Sequence, residues 1–177
     1  MNENIEKKSV ILRKTELHEL DNFKSDLQES FRVSAEKEFG HSLEEPIPSD
    51  QDIDESIKTD NSIVYSIFFE NELVGGAIVY INEITQHNSL AFFFIMTNNH
   101  SRGIGHLAWE AIEKEHPKTK IWETVTPYFE KRNIHFYVNK CGFKIVEFYN
   151  KYRPDPNHTS QESLEEDEMF RFEKIMK

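Results

Sequence analysis

A strand-length apolar run, Leu90-Ala91-Phe92-Phe93-Phe94-Ile95-Met96, is followed shortly by His100-Ser101-Arg102-Gly103-Ile104-Gly105. An apolar-periodic stretch then begins, with Leu107, Ala108, Ala111 and Ile112 on one stripe. The order is buried strand, short polar loop with two glycines, amphipathic helix, and it constrains the chain more than any other segment. Glycines let the backbone come close to a ligand. The free N–H groups of a first helical turn point outward with the positive end of the helix dipole. Such a loop is an anion site, and a diphosphate is its natural occupant.

The remaining periodicities build an α/β frame around this unit. Ser9 to Leu12 reads as a first strand. Thr15 is expected to cap a long helix with Leu17, Leu20, Phe23, Leu27, Phe31, Ala35 and Phe39 on one stripe, closed by Gly40. Ser49 and Asp52 form a capping box for a short second helix that turns Ile53 and Ile57 inward. Ile63, Tyr65, Ile67 and Phe69 alternate as a strand. A tight turn at Asn71-Glu72 leads into a hairpin partner, Leu73 to Ile81, in which Gly75-Gly76 marks a bulge or a close backbone approach. Asn82 to Ser89 reads as a polar turn. After the glycine loop and its helix come a strand at Lys120 to Val125, a helix at Tyr128 to Cys141 ended by Gly142, a strand at Phe143 to Tyr149, and a last strand at Met169 to Ile175. Neither an internal repeat nor a dividing linker is evident, so residues 1–177 are expected to form a single domain.

Composition narrows the function classes. A net charge of −11 argues against nonspecific binding to nucleic acid or to an anionic membrane, and is compatible with a cationic substrate. The single cysteine, Cys141, excludes an internal disulfide and a cysteine metal cluster. His106 and His116 lack ligand spacing and read as solvated helix positions, so no metal site is expected. No spanning helix and no signal-peptide core are seen, and a cytoplasmic location is expected.

Two motifs carry a family resemblance. Gly103 and Gly105 match both glycines of the Gln/Arg-x-x-Gly-x-Gly/Ala signature of the GNAT acetyltransferase superfamily, while His100 stands at its first position. Phe136-Tyr137-Val138-Asn139-Lys140-Cys141-Gly142-Phe143 resembles the family's aromatic pair followed by Gly-Phe. The resemblance implies the acyl-CoA N-acyltransferase fold, a mostly antiparallel central sheet of about seven strands with helices on both faces. It implies acetyl-CoA as cosubstrate, direct transfer of acetyl to a primary amine, a small-molecule or peptide acceptor, and a possible homodimer. The alternative is a non-catalytic acyl-CoA-binding regulatory module of the same fold, which the departures at His100 and Val138 motivate.

Site residues follow from the resemblance. Backbone groups of Ser101, Arg102, Gly103, Ile104 and Gly105 would hold the CoA pyrophosphate, with Arg102 adding charge and His100 donating one hydrogen bond. The edge of the Phe-rich strand at Phe93 and Ile95 would pair with the pantetheine amides. Asn133 and Tyr137 would line the other side. The family's acid is a tyrosine, but counting back from Gly142 places that position on Val138. Tyr137 would reach the sulfur if the helix is shifted or holds a bulge; otherwise water or another group protonates the thiolate. Glu123 is the first candidate for the base, with Glu83 and His87 as runners-up. The acidic stretch Asp155 to Glu168 reads either as an attractor of cationic amines or as a solvated loop.

Overall fold

The computed structural model describes residues 9–100, 103–156 and 168–177. Seven strands form one sheet: β1 (Val10–Lys14), β2 (Ser62–Phe69), β3 (Glu72–Tyr80), β4 (His87–Ile95), β5 (Ile121–Pro127), β6 (Lys144–Tyr149) and β7 (Met169–Ile175). Their spatial order is β1-β2-β3-β4-β5-β7-β6. Every pairing is antiparallel except β4 with β5, which is parallel. The helices are α1 (Leu20–Phe39), α2 (Asp50–Lys58), α3 (Ile104–Glu115) and α4 (Lys131–His135), the last continuing into a π turn at Phe136–Lys140. The mixed sheet with helices on both faces is the architecture expected. Among these residues no helix is long and apolar enough to cross a membrane.

Strand alternation sends side chains to two cores. One face carries Tyr65, Ile67, Val79, Leu90 and Trp122 against Ala108, Trp109 and Ile112 of α3 and Tyr137 of the π turn. The other carries Ile78 and Phe94 against Phe23 and Leu27 of α1 and Ile53 of α2. The Gly75-Gly76 pair is explained by crowding. A Cβ on Gly75 would stand 2.2 Å from the Phe94 carbonyl oxygen, and one on Gly76 2.3 Å from the Phe23 ring. Phe23 rests edge-on against Phe94 at 5.4 Å, so the missing side chain is what lets α1 lie on the sheet.

Several local expectations shift. The first helix begins with a 3₁₀ turn at Leu17–Glu19, capped by a Glu16–Glu19 box; Thr15 instead hydrogen-bonds Ser66 across to β2. Leu17 is consequently exposed and not on the buried stripe. The hairpin turn lies one residue earlier, with Glu70 and Asn71 at φ 52° and 68°. His87-Asn88-Ser89 is strand, not turn: Asn88 is fully buried because its carbonyl accepts from the Asn82 amide and its amide donates to Thr119. His116 does not lie on a solvated face. It packs between Tyr65 and Trp122 and shares a 3.1 Å hydrogen bond with the Tyr65 hydroxyl.

Candidate active site

The parallel pair β4 and β5 is joined only at His87↔Ile121, Asn88↔Trp122 and Ser89↔Glu123. Beyond Ser89 the two strands part and leave a fork. At its apex the Thr124 hydroxyl donates to the Leu90 carbonyl at 2.8 Å. Further along, the Ile95 carbonyl points into the gap and accepts from His100. By the period of two, the backbone groups of Phe93 face the same gap and are available to an added extended segment. The Phe93 ring stacks on Phe136 from the far wall, at 5.6 Å and 8°.

At the open end of β4 stands the glycine loop. Gly103 takes φ +74°, a left-handed conformation that glycine adopts without strain, and this directs the chain into α3. Ile104, Gly105 and His106 open the helix, so their N–H groups lack intrahelical acceptors. A Cβ on Gly105 would approach the Phe136 ring at 3.3 Å, so this glycine keeps the helix start close to the far wall of the fork. Ser101 and Arg102 lie outside the described residues, as do residues 157–167 of the acidic stretch.

His100 is engaged on both ring nitrogens. Its Nε2 donates to the Ile95 carbonyl at 2.6 Å, and its Nδ1 accepts from the Arg132 guanidinium at 2.6 Å. Burial, with the Arg132 charge, holds its pKa below the ordinary 6.5 against the pull of the Ile95 bond, so the ring is neutral at pH 7. In this arrangement the imidazole orients a cation: exposed Arg132, on α4, brings a guanidinium fork beside the glycine loop. Sequence reasoning passed over Arg132, since nothing in spacing links it to a residue 32 positions earlier. Asn133 is half-buried on the same short helix.

The π turn resolves the offset at Val138. Its backbone bond runs from the Cys141 N–H to the Phe136 carbonyl, one residue longer than an α-helical bond. The extra residue gives Tyr137 the angular place that an unbroken α-helix would give Val138. Tyr137 is buried against Phe143 and Phe172. Its hydroxyl hydrogen-bonds Thr124 at the apex of the fork, and burial pushes its pKa well above 10, so the phenol keeps its proton. Cys141 is buried too, its thiol pushed up to about 12, which leaves no thiolate at neutral pH.

Glu123 sits at the closed end of the fork on the opposite face of the sheet from Trp122. Its carboxylate accepts from Ser89 at 2.8 Å, meets His87 Nε2 at 3.1 Å and lies 3.5 Å from the Arg171 guanidinium. Polar groups surround it. His87, Glu123 and Glu173 bring ligand-type atoms within 4.8 Å of one another, but Arg171 also pairs with Glu173, at 2.6 Å, and already neutralises these carboxylates. Glu83 lies in the turn before β4, away from the fork, its carbonyl bonded by Gln86.

Two further residues that sequence reasoning did not single out meet beside the fork. Glu130, just after β5, is 3% exposed, and its carboxylate accepts from the Ser34 hydroxyl of α1 at 2.8 Å. An acid directly after two aromatics, Tyr128 and Phe129, was the available signal; its partner, 96 residues away, had none.

Comparison with known proteins agrees with this geometry. Protein YrkN of Bacillus subtilis (strain 168), itself uncharacterized, is 48% identical over 174 residues, which cover 95% of this chain and 94% of its own. Among solved structures, a GNAT family acetyltransferase from Elizabethkingia anophelis with acetyl-CoA bound superposes with a TM-score of 0.66 at 14% identity, covering 95% of this chain and 99% of that one. The spermidine N-acetyltransferase of Vibrio cholerae, in complex with CoA and spermine, gives 0.66 at 12% identity over 94% and 95% of the two chains. The sequence profile of the Acetyltransferase (GNAT) family matches residues 20–143, well over half of the sequence, and the chain belongs to that family.

Proposed function

We propose that this protein transfers an acetyl group from acetyl-CoA to a primary amine by direct attack within a ternary complex. The observation that carries the reading is the fork: β4 and β5 pair at three positions and then separate, with a glycine-opened helix start at the free end of β4. The pyrophosphate would sit on the N–H groups of Ile104 and Gly105 and the adjoining Gly103, with Ser101, Arg102 and Arg132 as neighbours and His100 holding Arg132 in place. The pantetheine would run along Phe93 and Ile95 as an added strand, with Asn133 on the opposite wall. This would bring the thioester toward the apex, where the Tyr137 phenol lies.

The amine, once deprotonated, adds to the thioester carbonyl carbon. The tetrahedral adduct collapses by breaking the C–S bond, and the departing thiolate takes a proton from Tyr137. A small cationic amine is favoured as acceptor by the net charge of −11. The spermine bound by the Vibrio cholerae enzyme makes polyamines the first class to test. No metal is needed for this chemistry. The exposed Ile145, Val146 and Phe148 of the outermost strand β6 fit a homodimer contact.

Calorimetric titration with acetyl-CoA tests the reading. The wild type should bind at micromolar concentration. The Gly105→Glu variant, which sets a bulky anion at the helix start, should lose at least about tenfold (~1.4 kcal/mol) in affinity. Release of free thiol on adding spermine, phenethylamine or a peptide with a free N-terminus should follow. Binding without thiol release from any of them would mark a regulatory acyl-CoA module. Absence of binding in the wild type would end the acetyltransfer reading.

A further inference from the structure

We infer that Glu130, oriented by Ser34, is the group that takes the proton from the incoming ammonium. The inference rests on the acetyltransfer reading above and assigns its missing base.

Helix α1 and the α4 segment lie on opposite faces of the sheet, one over the Phe94 core and the other over the Trp122 core. They nevertheless touch. Along α1, Phe23 rests on Phe94 and Phe31 on Phe92, both in β4, and then Phe39 rests on Phe129, just past the end of β5, at 4.9 Å. The helix therefore crosses from one prong of the fork to the other. The Ser34–Glu130 hydrogen bond forms between these contacts, where the separated strands leave the two layers free to meet. The carboxyl placed there, just past the end of β5, is buried and does not reach the outer surface.

Its electrostatic surroundings fit the task. Burial pushes the Glu130 carboxyl above the ordinary 4.5, and Glu38 of α1 adds to this, while the Ser34 bond and the Arg132 charge of α4 pull it back. The net shift is upward, which makes this carboxylate a better proton acceptor than an ordinary glutamate. Tyr137 in the π turn is close enough to sense the Glu130 charge, so the acid and the proposed base are neighbours. Glu123, by contrast, has both oxygens engaged by Ser89, His87 and Arg171 at the closed end of the fork.

The proton balance closes with these two groups. Glu130 takes the first proton from the ammonium and passes it to solvent. The amine nitrogen attacks, the C–S bond breaks, and Tyr137 gives its proton to the sulfur. The second proton lost by the nitrogen restores the phenol.

The test is the pH dependence of kcat/KM, read as thiol release with whichever of spermine, phenethylamine and the peptide the wild type accepts. Glu130→Gln keeps the volume and can still accept from Ser34. It should lower kcat about 100-fold or more with acetyl-CoA affinity unchanged. Ser34→Ala leaves the carboxyl in place but removes the bond that lowers its pKa. That variant should turn over with its acid limb displaced to higher pH, a shift that lost packing alone does not produce. An active wild type with Glu130→Gln within about threefold of it, and the acid limb of Ser34→Ala unmoved, would overturn the role of Glu130 and leave acetyltransfer standing. If Glu130→Gln does not fold, the Ser34→Ala profile decides alone. An inert wild type would overturn both.

Discussion

Tyr137 combines two properties that ordinarily conflict: it is packed like a core ring, and its hydroxyl ends at the apex of a cleft. The ring is fixed by Phe143 and Phe172, each 5.6 Å away between centroids, while the hydroxyl bonds Thr124, whose own proton goes to the Leu90 carbonyl. A phenol held so is preorganised, because little movement carries its proton from Thr124 toward a developing thiolate. Tyr137→Phe keeps the ring and removes the proton. We expect kcat for thiol release to fall about 100-fold, with acetyl-CoA affinity retained and folding stability lowered by no more than ~1.5 kcal/mol for one lost hydrogen bond. Unchanged kcat would reduce Tyr137 to packing and make water the proton source.

Among the elements, the helix that carries this tyrosine is the least regular, and its irregularity has a use. One residue too many separates Tyr137 from Gly142, and the π turn absorbs it so that the tyrosine still reaches the fork. Deleting Val138 should return the segment to an α-helix with Tyr137 in the same angular place. Thiol release should stay within about threefold of wild type (~0.7 kcal/mol), and the Tm should not fall. A loss as deep as that of Tyr137→Phe would mean that the extra residue itself shapes the site. The element order was legible because apolar periodicity reports it: the stripe from Phe23 to Ala35, the alternation from Ile63 to Phe69 and the Phe-rich strand each have one buried face. The closed end of β4 was not legible, because polar His87-Asn88-Ser89 shows no alternation and is strand only through the bonds of Asn88 to Asn82 and Thr119. The glycine loop was visible as a motif. The side chains around it were not: His100–Arg132 and Ser34–Glu130 join polar residues far apart in sequence, and such pairs exist only once the sheet has assembled.

Across the whole molecule, buried titrating groups of opposite sign set how stability follows pH. His100 and His116 are both held below the ordinary 6.5, chiefly by burial; Tyr65, its hydroxyl pushed up to about 12, donates to neutral His116. The unfolded chain protonates these histidines near pH 6.5 while the folded chain resists. The stability they contribute is therefore present above pH 6.5 and is lost as pH falls toward their folded values. Glu130 and Asp26 act in the other direction. Burial raises both carboxyls above 4.5 and 3.8, so their contribution is greatest at low pH and is lost as pH rises through the folded values. The carboxylates held low by arginines, Glu19 at about 2 among them, act only in more acid solution. As pH falls from 7.5 to 5.5 the histidines lower stability, and a raised carboxyl such as Glu130 works against them. We expect the Tm of the wild type to fall over this range by a few degrees, at ~2–4 °C per kcal/mol for a chain of this size. His116→Gln should flatten the fall, because it removes a group that takes up a proton on unfolding. Glu130→Gln should steepen it, because it removes a carboxyl whose raised pKa works against the histidines. Thermal melts of the three proteins at five pH values suffice. Parallel curves would mean that His116 binds protons equally in the folded and unfolded chain and that Glu130 does not titrate in the folded protein over this range, which would remove the support that a raised carboxyl lends to proton transfer at Glu130.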